Sequence, residues 1–238
     1  MKKLAIFVEG QTEQIFVHNL VKQIAGTKNL TIRTDKIKGG TNVPKQIHNL
    51  EVFDAEEEVK FYVLIRDCAG DSRVLAEARD QYESLKASNY EKIIGLRDLY
   101  PDGLDKLEGI NNSISKFMKT FVDEERLPLN IVIAVKEIES WFLAEHNHFE
   151  KIDPKLTHEH IREKLGIDVI TTQAEQYDNP ADTLHVIYKL VDLAYKKRKN
   201  QAVRTVESLC YETIYLELKD SIDSLRSLVS DVDDFLTV

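Results

Sequence analysis

Short apolar runs bounded by polar turns mark the first half of the chain: Leu4 to Val8, Phe61 to Ile65, Lys92 to Leu96 and Asn130 to Val135. Runs of this length, rich in β-branched residues and closed by turn formers, read as buried strands. Leu30 to Ile37 is more polar and reads as a strand suited to a sheet edge. Between these runs the apolar positions shift to helical spacing, over Thr12 to Ile24 and Val74 to Ala87. Strands alternating with helices predict right-handed crossovers and an α/β fold, a mainly parallel sheet flanked by helices.

From about Trp141 the rhythm changes and no further apolar strand follows. Leu184, Ile187, Val191 and Ala194 place one amphipathic helix over Pro180 to Lys199, and a second is expected from Val203 to Leu218. A last helix carries Ile222, Leu225, Val229, Val232 and Leu236 on one face. The organisation predicted is an α/β domain over residues 1–145 and a helical C-terminal subdomain over 146–238.

With 238 residues the chain has length for a full hydrophobic core without a disulfide or metal staple. Its two cysteines, Cys68 and Cys210, form no CxxC pair, which fits a reducing compartment. The opening apolar run is too short for a signal peptide, and no stretch approaches the roughly 20 apolar residues of a membrane span. The expectation is a cytoplasmic protein without a membrane partner. A net charge of −9 argues against a broad, sequence-independent nucleic-acid binder. It is compatible with an enzyme whose acids surround divalent cations.

Acids stand where the strands end. Glu9, Asp67, Asp98 and Glu137 each close an apolar run, and parallel strands align their carboxyl ends on one side, where open α/β sheets bind ligands. Glu13 follows Glu9 by one helical turn, Asp71 follows Asp67 across a glycine, and Glu139 lies two residues past Glu137. Each acid alone reads as a cap or turn former. Gathered at one crevice, such carboxylates suit Mg²⁺ or Mn²⁺, which prefer hard oxygen ligands and can orient a phosphodiester and activate water.

The run Val8-Glu9-Gly10-Gln11-Thr12-Glu13 resembles the opening of a Toprim domain, the module of topoisomerases, bacterial primases and OLD-family nucleases. Asp98-Leu99-Tyr100-Pro101 and Glu137-Ile138-Glu139-Ser140-Trp141-Phe142-Leu143 resemble a small prokaryotic Toprim-like family whose members open with the same run. The resemblance covers residues 1–145. It implies a Toprim-like sheet and a Mg²⁺- or Mn²⁺-dependent nuclease acting on DNA or RNA, an anti-phage effector working beside an ATPase partner. It further implies Glu9 as catalytic acid/base or metal ligand, with Glu13 beside it. Asp67 would be the first member of an Asp-x-Asp pair and Asp98 a further catalytic acid, with Glu137 and Glu139 as late metal ligands. The chain departs from the family pattern after Asp67: Ala69 stands where the second aspartate belongs, and Asp71 is the next acid. That departure keeps a rival open, a catalytically weak metal-binding module whose role is to dock an ATPase. A flavodoxin-like phosphate binder is a third.

Other signals point to structure. His146-Asn147-His148 reads as a polar turn, and no zinc spacing occurs. Lys38-Gly39-Gly40-Thr41-Asn42 reads as a turn, without the residues of a nucleotide-binding P-loop. Trp141, Phe142 and Leu143 read as packing residues. Tyr195-Lys196-Lys197, in a basic run ending at Lys199, offers cations to a phosphate or a transition state.

Overall fold

A computed structural model describes residues 1–40, 43–70, 73–100, 103–120 and 126–237; of the residues named above, Thr41, Asn42, Asp71 and Pro101 lie outside them. The fold is α/β, a mostly parallel sheet flanked by helices and followed by a helical C-terminal region. The strands are β1 (Lys2–Val8), β2 (Leu30–Lys38), β3 (Gln46–Phe53), β4 (Phe61–Asp67), β5 (Lys92–Asp98) and β6 (Leu129–Ala134), in the order β3-β2-β4-β1-β5-β6. Helices α1 (Gln11–Ala25) and α2 (Arg73–Ala87) follow β1 and β4, and α3 (Leu107–Met118) follows β5. β1 pairs in parallel with β4 and β5, and β2 pairs in parallel with β4, whereas β3 runs antiparallel to β2.

Leu4 to Val8 are completely buried, as a central strand flanked on both sides requires. Phe16, Val17, Leu20 and Val21 of α1 and Val74, Ala78, Tyr82 and Leu85 of α2 supply the helical side of the core. The Tyr82 hydroxyl, buried with its ring, donates to the Leu127 carbonyl.

The expected edge position of β2 is overturned. β2 is an inner strand, and the edge belongs to β3, which the sequence pattern did not announce. Asp35 of β2 is completely buried because Arg33 and Arg66 meet its carboxylate, and Lys36, half-buried, meets Asp67. Asp35 pairs in register with Arg66, and Lys36 with Asp67, so two opposite-charge pairs fix how β2 lies against β4. β3, exposed along most of its length, lacks the apolar alternation of a half-buried strand.

Gly95 in β5 is required by packing. A Cβ there would overlap Ile131 Cδ1 and sit 3.0 Å from Val74 Cγ1. Gly95→Val is expected to destabilise the protein by about 1–3 kcal/mol, the usual cost of overpacking. Urea denaturation checks it, and an unchanged midpoint would contradict the close packing.

Chain contacts divide the molecule into two compact units, residues 1–97, 102–133 and 230–238 in the first and residues 98–101 and 134–229 in the second. The second unit holds α4 (Glu139–Ala144), α5 (His148–Ile152), α6 (His158–Leu165), α7 (Pro180–Lys189) and α8 (Lys199–Ser208). The final helix, Asp223–Leu236, is amphipathic as expected, and its C-terminal end returns to the first unit, where Asp231 pairs with Lys92 at 2.6 Å. The helix expected over Pro180 to Lys199 stops at Lys189. Asp192 adopts a left-handed φ of 59°, Leu193 N–H donates to Tyr188 O, and Asp192 N–H donates to Lys189 O. This is a Schellman ending with aspartate where glycine is usual, so composition did not announce it. The helix expected over Val203 to Leu218 is likewise interrupted at Leu209-Cys210, before a turn of π-helix at Ile214–Leu218.

Candidate metal centre

Asp98 closes β5, and just beyond it Leu99 N–H donates to Ala134 O and Tyr100 N–H to Lys136 O. Lys136 turns the chain with a φ of 67°, uncommon outside glycine. Glu137 follows, and Glu139 begins α4. Asp98 Oδ1 accepts the Ile138 N–H at 2.9 Å, which ties the strand end to the start of the helix.

The second unit thus brings three of the sequence-derived acids together. One oxygen from each of Asp98, Glu137 and Glu139 lies within 4.8 Å of the others, and among the described residues this is the one such group of three. All three side chains are buried or nearly so, Glu139 completely. Their remaining oxygens have other duties. Asp98 Oδ1 holds Ile138, Glu137 Oε2 accepts the Ala181 N–H at 3.2 Å, and Glu139 Oε1 accepts the Tyr195 hydroxyl at 2.7 Å. Each acid is therefore clamped by one oxygen and presents the other to a common point.

The Lys197 ammonium stands at that point. Its Nζ is 2.8 Å from Glu137 Oε1, 3.0 Å from Glu139 Oε2 and 3.9 Å from Asp98 Oδ2. The chain reaches there because the Asp192 reversal sends residues 193–197 back from the end of α7. Tyr195 N–H donates to His185 Nδ1, and Lys197 itself adopts a φ of 52°. Tyr195 and Lys197 are the functional candidates whose placement sequence spacing could not supply. They were visible only as a basic run, and Lys197 lies 60 residues after Glu137.

The electrostatics follow from three carboxylates around one ammonium. Burial raises the Glu139 pKa, the neighbouring Glu137 charge adds to the rise, and Lys197 and Tyr195 oppose it. Burial alone would lower the Lys197 pKa, but Glu139, Asp98 and Glu137 raise it, so the side chain stays charged. An all-oxygen trio of this kind could hold a hard metal cation.

The other acids lie in the first unit. Glu9 follows β1; its N–H donates to Leu96 O, and its carbonyl accepts from Gly70. Glu13 is buried in the first turn of α1, its Oε2 3.2 Å from where a Cβ on Gly10 would stand. Asp67 is completely buried and engaged, with Oδ2 2.6 Å from Lys36 Nζ and Oδ1 accepting the Ala69 N–H at 2.8 Å. Ala69 has a φ of 56°, so the chain turns sharply where a second aspartate was sought. Burial pushes the Cys68 thiol up to about 12, which keeps it protonated.

Residues 8–209 match a family model described as a domain of unknown function, DUF4276. The chain belongs to the DUF4276 family. The matched span includes the acid trio, Lys197, Tyr195, Glu9, Glu13 and Asp67. No curated protein matches the chain.

A buried polar network also lies in the second unit. His148 Nε2 and the Tyr188 hydroxyl are 3.0 Å apart, as are the Tyr188 hydroxyl and Thr205 Oγ1. Glu145 Oε2 accepts the Cys210 N–H at 3.0 Å. Burial pushes Glu145 up to about 7, against the Cys210 N–H, and lowers His148 to about 4. A carboxyl whose pKa is raised on folding contributes stability that is full below about 4.5 and lost as pH rises through about 7. Glu145→Gln removes this loss, while the opposite His148 dependence remains in both proteins. The variant is therefore expected to gain on wild type between pH 5 and pH 8. Thermal melts at the two pH values check it, and an equal difference at both would contradict the assignment.

Proposed function

We propose that this DUF4276 protein is a divalent-metal-dependent phosphodiesterase acting on nucleic acid. The observation that carries the reading is the convergence of one oxygen each from Asp98, Glu137 and Glu139 on a single cation position. Ile138 N–H, Ala181 N–H and the Tyr195 hydroxyl hold the opposite oxygens, so the acids need little rearrangement to bind an ion. A bound Mg²⁺ or Mn²⁺ would supply Lewis-acid stabilisation of a phosphoryl oxygen and a more acidic water. The resemblance to Toprim nucleases supplies the substrate class, the ATPase partner and the roles of Glu9 and Glu13, and the cysteine usage supplies the cytoplasmic setting.

The account is tested by incubating the protein with plasmid DNA, single-stranded DNA and RNA, with Mg²⁺, Mn²⁺ or EDTA. Metal-dependent scission of at least one substrate is expected, together with its loss in Glu9→Gln. Scission that persists in EDTA, or none with either metal, would overturn the reading. A catalytically weak metal-binding module that docks an ATPase is the second reading. The observation favouring it is Lys197, which already neutralises part of the trio.

A further inference from the structure

Lys197 answers two demands that conflict in a metal enzyme. Without a divalent ion, three buried carboxylates repel one another and need a cation. With one, the same three oxygens must be released. Nζ contacts the presented oxygens of Glu137 and Glu139 and lies 3.9 Å from that of Asp98, so an ion ligated by the three oxygens and the ammonium cannot share the position.

The surroundings permit exchange. Lys197 is 38 % exposed by its side chain, while Glu139 is completely buried and Asp98 and Glu137 are nearly so, so the lysine reaches the trio from the solvent side. Lys196, Arg198 and Lys199 beside it are exposed. Lys197 has a left-handed backbone conformation, with a φ of 52°, that is uncommon outside glycine. Tyr195, two residues earlier, is buried and bonded to Glu139, which anchors the backbone on one side of Lys197. Once outward, Lys197 joins a basic run with affinity for a phosphate oxygen.

We infer that Lys197 is the resident cation of the acid trio, displaced when a divalent ion binds, and that its transfer to a substrate phosphate couples metal binding to nucleic-acid binding. This rests on the proposed phosphodiesterase reading and adds its regulation. Metal alone must compete with an internal ammonium. Metal with a phosphodiester does not, because the phosphate takes the lysine. By linkage each ligand then strengthens the other by the same factor.

The test measures Mn²⁺ binding to the full chain by electron paramagnetic resonance of free Mn²⁺. It is run with and without a short phosphonate-linked oligonucleotide that resists hydrolysis. Lys197→Met and Lys197→Gln are expected to bind Mn²⁺ about tenfold tighter than wild type without oligonucleotide, within the usual range of coupling between sites. The oligonucleotide should tighten Mn²⁺ binding several-fold in wild type and have no such effect in either variant. Unchanged or weaker Mn²⁺ binding in both Lys197 variants, with binding lost in Glu139→Gln, would overturn the exchange while leaving the metal site standing. No Mn²⁺ binding by wild type or by the Lys197 variants would overturn both the exchange and the reading beneath it. Circular dichroism of each variant shows whether it is folded. Two replacements of different polarity keep one failure of folding from deciding the matter.

Discussion

Glu139→Gln is expected to abolish divalent-ion binding and reduce phosphodiester cleavage to background. The side chain is completely buried, it presents Oε2 to the cation position, and its Oε1 is clamped by the Tyr195 hydroxyl. Glutamine preserves volume and can still accept from Tyr195, so the change is electronic. It exchanges an anionic ligand for a neutral amide at a completely buried position. Removing a partner behind a metal ligand commonly costs about 10–100-fold in affinity, and removing the ligand's charge itself should cost at least as much. Asp98→Asn should act in the same direction but also weaken the Ile138 N–H contact that joins β5 to α4. Isothermal titration with Mn²⁺, alongside the cleavage assay, checks both variants. Wild-type affinity in a folded Glu139→Gln protein would contradict the assignment.

Asp35→Ala is expected to destabilise the protein by about 3–5 kcal/mol, the cost of stranding the partner of a buried ion pair. Asp35 has no solvent exposure. It accepts from Arg33 Nε at 2.9 Å, Asn49 Nδ2 at 3.1 Å and Arg66 Nη2 at 3.1 Å. Burial alone would raise its pKa, but these hydrogen bonds from Arg33, Asn49 and Arg66 lower it below the ordinary value. Its loss leaves the Arg66 guanidinium, 10 % exposed, without its carboxylate. The group joins three neighbouring strands, β3 through Asn49, β2 through Asp35 and β4 through Arg66. Replacing the pair together, Asp35→Leu with Arg66→Met, should recover much of the loss, because buried ion pairs are often no more stabilising than apolar residues of similar volume. Urea denaturation of the single and double variants measures both. A loss below about 1 kcal/mol for Asp35→Ala would mean that water or another anion satisfies Arg66.

The parts of this fold legible in the sequence are those where one physical cause dominates. Leu4 to Val8 is apolar at every position because β1 has sheet neighbours on both sides and helices over its faces. β4 and β5, buried for most of their length, carry the same signature. β2 and β3 were misread or missed because their placement depends on partners. Asp35 and Lys36 look like surface residues until Arg66 and Asp67 are set beside them. The acid trio was half legible. The carboxyl ends of parallel strands announced Asp98 and Glu137, but the same logic applied equally to Glu9 and Asp67, and only side-chain geometry separates an acid held by Lys36 from acids that converge. Lys197 was the least legible, since its position follows from a helix ending on a left-handed aspartate.

The most direct measurement is a crystal of the protein soaked in Mn²⁺ and recorded at a wavelength where manganese scatters anomalously. The account predicts an anomalous peak among Asp98, Glu137 and Glu139, in contact with the oxygens now facing Lys197, and the Lys197 side chain turned away. No peak there at saturating Mn²⁺, with Lys197 still seated between the three acids, would contradict it.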